Sequence, residues 1–165
     1  MTMTANARRV RVGHQQPVRP LAELTAADLV GPVGAAIGED ATLWEALRRF
    51  LTQHTRHLAV VDGRRRYRGL LSDRHLAARA PFDERSLRSL RVRDIGCLDR
   101  PALAPGTSLT AVARLLTDYE ADALPVVDAH GEVLGVVTRD IVVRALADRG
   151  PDGRARPAPR QSKRR

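Results

Sequence analysis

Aromatic side chains are scarce: Phe, Trp and Tyr make up 3% of the 165 residues, so any core has to be built from aliphatic groups. Cysteine occurs once, at Cys97, which excludes an internal disulfide and suits a reducing, cytoplasmic setting. There is no run of eighteen apolar residues, and MTMTANARRVRVGHQQPVRP has no apolar segment behind its charges. Neither a membrane span nor a secretory signal is therefore expected. His14, His54, His57, His75 and His130 are scattered along the chain without the spacing of metal ligands. Neither a G-x-S-x-G elbow nor a Walker loop occurs, and Cys97 lies in a loop-like stretch with Arg100 nearby. No catalytic residue is assigned and no enzyme is expected.

What is present begins with charge. The net charge is +9, and its distribution decides what it means. Residues 1–23 carry four Arg and one Glu, residues 147–165 carry six Arg, one Lys and two Asp, and residues 24–146 hold 17 basic against 16 acidic groups. The basicity therefore sits in two arms rich in Pro, Gly, Ala and Arg, a composition that reads as disordered tails around a folded centre. Nucleic acid is not an expected partner except weakly, through those tails. The length suits one ordinary domain with one core.

That centre is a repeat. Shifting the chain by 66 residues brings Leu24 onto Leu90, Asp28 onto Asp94, Leu29 onto Ile95, Ile37 onto Leu103 and Thr42 onto Ser108. The same register carries Leu58, Val60, Val61, Asp62, Gly69 and Ser72 onto Leu124, Val126, Val127, Asp128, Gly135 and Thr138, which marks two copies of one unit. Residues 24–80 form the first, 90–146 the second, and 81–89 a polar, exposed linker. In each copy a short extended entry (33–37, then 101–105) precedes a helix. Thr42 with Glu45 is a capping box, and Leu43, Ala46, Leu47, Phe50 and Leu51 fall on one helical face. Ser108 caps the second helix, whose face carries Leu109, Val112, Ala113 and Leu116. LAVVD at 58–62 and LPVVD at 124–128 then start hairpins completed by YRGLLS and VLGVVT, and short helices follow from 73 and from 140. The unit is β-α-β-β-α, too small to bury itself alone.

The ordered set of motifs, written twice, resembles a pair of CBS domains, the family named from cystathionine β-synthase. It comprises T-x-x-D-L at 25–29 and V-R-D-I at 92–95, RHLAVVD and ALPVVD, and a glycine, two aliphatic residues and a hydroxyl ending each hairpin. The resemblance covers residues 24–146 and implies an α+β fold of tandem repeats packed with pseudo-two-fold symmetry. It also implies two clefts that take AMP, ADP, ATP or S-adenosylmethionine; from the sequence itself no other cofactor and no metal is expected. The function so implied is a ligand-sensing regulatory module that acts on a separate protein partner and pairs as a homodimer through its helices, with Trp44 and Leu115 as candidate contacts. A scaffold with degenerate, empty clefts is the alternative.

Within the clefts, Ser72 and Thr138 sit where a strand gives way to a helix, able to cap that helix, to meet a ribose or phosphate, or both. By resemblance, Arg56 and His57 stand where basic side chains meet phosphate, whereas their counterparts are Asp122 and Ala123. Ile37 and Leu103 align with residues flanking adenine and equally suit a plain core. The family's ribose-binding Asp, three residues after the hydroxyl, is replaced by His75 in the first copy and Ile141 in the second, with Asp140 one residue early. The shared glycine and hydroxyl are expected to build a turn, and the differing charges to make the clefts inequivalent. Arg64, Arg65, Arg66 and Arg68 surround a hairpin turn, either as a solvated face or as a surface for an acidic partner.

Overall fold

The computed structural model describes residues 20–30, 36–81 and 83–148. Most of both arms and positions 33–35 of the first entry strand lie outside the described residues. Residues 20–23, assigned to the arm from composition, include a single 3-10 turn at Leu21–Glu23. Leu21 packs against the second core, which explains its order.

Described elements run in chain order: α1 (Ala26–Leu29), β1 (Ala36–Gly38), α2 (Leu43–Thr52), β2 (His57–Val61), β3 (Tyr67–Ser72) and α3 (Asp73–Arg79). They continue with α4 (Glu84–Ser89), α5 (Val92–Ile95), α6 (Leu109–Asp118), β4 (Ala123–Val127), β5 (Val133–Thr138) and α7 (Arg139–Ala147). The expected capping box opens α2: the Glu45 amide donates to Thr42 Oγ1 at 3.1 Å while the Glu45 carboxylate accepts from the Thr42 amide at 2.8 Å. Ser108 does the same work alone for α6, accepting from the Ala111 amide at 3.3 Å. Leu43, Ala46 and Phe50 are buried as their spacing predicts, but Leu51, assigned to the same face, is 66% exposed at its rim.

β1 pairs parallel with β2, and β2 pairs antiparallel with β3, in a three-stranded sheet. β4 and β5 repeat that hairpin with an irregularity in register at the same place, between Val126 and Val127 as between Val60 and Val61. The second entry strand shrinks to one residue. Leu103 donates to the Pro125 carbonyl and accepts from the Val127 amide, and the ladder goes no further. Pro101 and Pro105 flank it, and proline has no amide to extend a ladder.

The repeats exchange their lead-in segments. Leu24, Ala26 and Leu29 are buried not with the first helix and hairpin but with Leu103, Leu109, Val112, Leu124 and Val142 of the second. Reciprocally, Val92 and Ile95 complete the core of Ile37, Leu43, Phe50, Leu58, Leu71 and Leu76. Matching backbone bonds seal the exchange: Leu43 donates to Leu90 at 3.0 Å and Val92 to Ala41 at 2.9 Å, as Leu109 donates to Leu24 at 2.9 Å and Ala26 to Thr107 at 2.7 Å. Instead of the one core expected, two aliphatic clusters form. A third, smaller cluster of Ala59, Leu70, Ala123 and Val136 joins the two hairpins.

The linker is largely exposed, and the reading of the shared glycine is corrected. The linker contains helix α4, opened by Asp83, which accepts from the Ser86 amide at 2.8 Å. Leu87 anchors it against the first core, and the Arg88 guanidinium lies 4.6 Å above the Trp44 ring. Trp44 is thus covered from within the chain, and Leu115 is half-buried against the second core. Nor does the shared glycine build a turn: Gly69 lies inside β3, where Leu70 and Leu98 exchange backbone bonds and bring Cys97 close above it. A methyl group at Gly69 would stand 2.2 Å from Cys97 Sγ. Gly69→Ala is therefore expected to lower the melting temperature, at a cost of about 1–3 kcal/mol for overpacking. Adding Cys97→Ala should recover part of that loss, and a Gly69→Ala protein as stable as the parent would contradict the close approach.

Candidate functional site

The hydroxyls and basic groups singled out in the sequence converge at one end of the two hairpins. His57 opens β2 and faces Ser72, the last residue of β3, as its direct partner in register; Ala123 and Thr138 are paired in the same way. Each hydroxyl caps the following helix. Ser72 Oγ accepts from the His75 amide at 3.0 Å, and Thr138 Oγ1 accepts from the Ile141 amide at 3.3 Å. Ser72 is 8% exposed, whereas Thr138 is half-buried.

Other candidates occupy different places. Ile37 and Leu103 are each 1% exposed and point into the two cores, so their side chains serve packing. The His75 ring lies with Nε2 3.5 Å from the Ile95 carbonyl, against the lead-in of the other repeat. Asp140 sits exposed in the first turn of α7.

Charge at this end follows the two-fold relation in position but reverses it in sign. Arg56 Nε donates to Asp73 Oδ2 at 3.0 Å, with the arginine side chain 62% exposed. Shifted by 66 residues, the same two places hold Asp122 and Arg139, whose charged groups are 3.7 Å apart. The backbone repeats without inversion, since the Asp73 amide donates to the Arg56 carbonyl as the Arg139 amide donates to that of Asp122. The hydrogen bond and charge of Asp73, together with Asp122 and Asp140 of the other repeat, strengthen the charged state of Arg56. From the sequence Asp122 was named only as the counterpart of Arg56, and Asp73 and Arg139 were not singled out; the inverted charges at aligned positions 56 and 122, and 73 and 139, mark these places but not their pairing.

A hollow of about 540 Å³ opens between the repeats, lined from the first by Ala36, Gly38 and Arg49 and from the second by Glu132, Leu134 and Gly135. A second, more apolar depression of about 430 Å³ runs between α2, α3 and α4 and ends at Arg56 and Asp73. Among the described residues no group of three or more His, Cys, Asp or Glu could hold a metal ion, and no helix is long and apolar enough to cross a membrane.

Burial lowers the pKa of His57 below its ordinary 6.5, against the opposing pull of Asp122 and Asp73. The unfolded chain therefore takes up this proton first. The stability linked to neutral His57 is complete above about pH 6.5 and is lost as pH falls below it. An NMR titration should place the His57 midpoint below 6.5, and Asp122→Asn should move it lower still by removing a carboxylate that favours the imidazolium. A midpoint at the ordinary value would contradict the burial.

The model of the CBS domain matches residues 26–81 and 92–148, both copies of the repeat. The magnesium transporter MgtE of Thermus thermophilus is 34% identical over 127 residues, which are 73% of this chain and 26% of the transporter. The chain thus spans about a quarter of that relative's length. The structure of the cytosolic domain of the Mg2+ channel MgtE in complex with ATP superposes with a TM-score of 0.61 at 34% identity, covering 74% of this chain and 48% of that one. CBSX2 in complex with AMP gives 0.62 at 29% identity, covering 73% and 94%. With both repeats matched, and with the α+β architecture of paired sheets and flanking helices described above, the chain belongs to the CBS domain family.

Proposed function

We propose that the pair is a regulatory module that takes an adenosine nucleotide or related phosphorylated metabolite between its repeats and signals to a separate partner, without catalysis of its own. The observation that carries this reading is the register pairing of His57 with Ser72 at the ends of β2 and β3, with Arg56 immediately before His57. A basic pair beside a hydroxyl suits a phosphate ester: the guanidinium supplies charge-assisted bonds, and His57 regains its proton when an anion replaces the lost hydration. The ATP and AMP held by the two similar structures support the ligand class. A dimeric scaffold with empty clefts is the second reading. It is favoured by the absence of the family's ribose-binding acid, with His75 turned to a backbone carbonyl and Ile141 in the matching place.

A thermal-shift screen with AMP, ADP, ATP and S-adenosylmethionine separates the two readings, because a ligand that binds only the folded state raises the melting temperature. The sensor reading expects a rise with at least one phosphorylated compound. Arg56→Ala and His57→Ala should then each weaken its binding by about tenfold or more, with charge-assisted bonds of about 1.5–3 kcal/mol at stake. Thr138→Ala should matter less, since Asp122 stands where the first repeat has Arg56. No rise with any compound would favour the scaffold.

A homodimer belongs to the same proposal. Leu51 of α2 and Val143 and Leu146 of α7 are 66%, 56% and 46% exposed, and the apolar depression beside Leu51 leaves further helix surface uncovered. Sedimentation at micromolar concentration is expected to give a dimer. Val143→Asp with Leu146→Asp should give a folded monomer, and a monomeric parent would end this part of the proposal.

A further inference from the structure

The Arg56 guanidinium is already engaged. Asp73 Oδ2 accepts from its Nε at 3.0 Å, Asp73 Oδ1 accepts from the Arg74 amide at 2.7 Å, and the Asp73 amide donates to the Arg56 carbonyl at 3.1 Å. The carboxylate is thus fixed at both oxygens and through its backbone, directly against the arginine that precedes His57. Asp122 and Asp140 add negative potential from the other repeat. A phosphate approaching Arg56 meets a group of its own charge that already holds the Nε–H, one of the guanidinium's five donors, and competes for the same positive charge.

From this geometry we propose that Asp73 is an internal competitor for phosphate, so that binding at Arg56 is an exchange of carboxylate for phosphate. The inference rests on the sensor reading above and deepens it by naming the residue that sets affinity and charge preference. An exposed arginine–carboxylate pair is weak enough to be displaced, yet every added negative charge on the ligand must face Asp73 as it leaves. The pair therefore permits a singly phosphorylated adenosine compound and penalises one bearing a di- or triphosphate. The inverted arrangement in the second repeat has a different consequence: Asp122 lies on the strand side and Arg139 on the helix, 3.7 Å apart, so the two clefts do not share one charge preference.

Titration calorimetry with AMP and ATP, without divalent cations, on the full chain and on Asp73→Asn tests the inference. Asp73→Asn is expected to tighten AMP by about three- to tenfold and ATP by more, as competition and repulsion are relieved. Asp73→Glu should return both affinities toward the parent's. In an Arg56→Ala background the gain should vanish, because no guanidinium is left to compete for, and this dependence separates competition from a merely structural role of Asp73 in the first turn of α3. Melting curves without ligand check that each variant folds. If AMP or ATP binds the parent and Asp73→Asn leaves affinity unchanged or weaker, the inference is overturned and the sensor reading stands. If neither compound binds the parent or Asp73→Asn, the inference is overturned, and the sensor reading falls with it when the thermal-shift screen also shows no rise with any compound.

Discussion

Everything in this fold depends on the exchange of lead-in segments. A β-α-β-β-α unit of this size has one apolar sheet face and two short helices, and it leaves a gap that its own chain does not close. The gap over the first hairpin is filled by Val92 and Ile95, and that over the second by Leu24, Ala26 and Leu29, all 8% exposed or less. Burying an aliphatic side chain of this kind contributes roughly 1.5–3 kcal/mol, so neither repeat retains its stability when the other is removed. Because each copy completes the other, the hairpins are held at a defined distance, and the clefts between them follow from the same contacts.

Such mutual dependence constrains backbone and core but leaves surface charge free to diverge. The two junctions that carry Ser72 and Thr138 keep the same strand pairing, the same cap and the same amide-to-carbonyl bond. At these junctions the acidic and basic partners have traded places, from Arg56 and Asp73 to Asp122 and Arg139. Inversion preserves an ion pair in each repeat, so it costs little in stability. It nonetheless alters the potential that a charged ligand would meet in each half.

Most of the fold was legible in the sequence because its periodicities are strong. The capping box at Thr42 and Glu45, the aliphatic strands and the 66-residue register all correspond to described structure. The exchange was not legible, since a repeat found by sliding a chain against itself assigns each lead-in to the copy it precedes, whatever it touches in space. Helix α4 was missed because Leu87 is its main apolar anchor, too little for a helical stripe. At the site, the sequence located Arg56, His57, Ser72 and Thr138 near the strand ends, but Arg56's partner is seventeen residues away and visible only in three dimensions. Gly69 was misread for a similar reason: the atom it accommodates, Cys97 Sγ, belongs to the far side of the linker.

The exchanged lead-ins also set an order of events during synthesis. The buried members of the first core are all in place once Ile95 has left the ribosome, with only the half-buried Cys97 still to follow. Leu24, Ala26 and Leu29 emerge earliest, yet their partners extend to Val142, so this oldest segment waits longest for its place. At about 5–20 residues per second, the interval between residues 95 and 142 is roughly two to ten seconds. Throughout it a half-finished protein carries an unsatisfied apolar strip at its N-terminal end. A neighbouring nascent chain on the same message offers an equivalent second core, so this interval is when lead-ins can cross between molecules and yield interlocked rather than separate products.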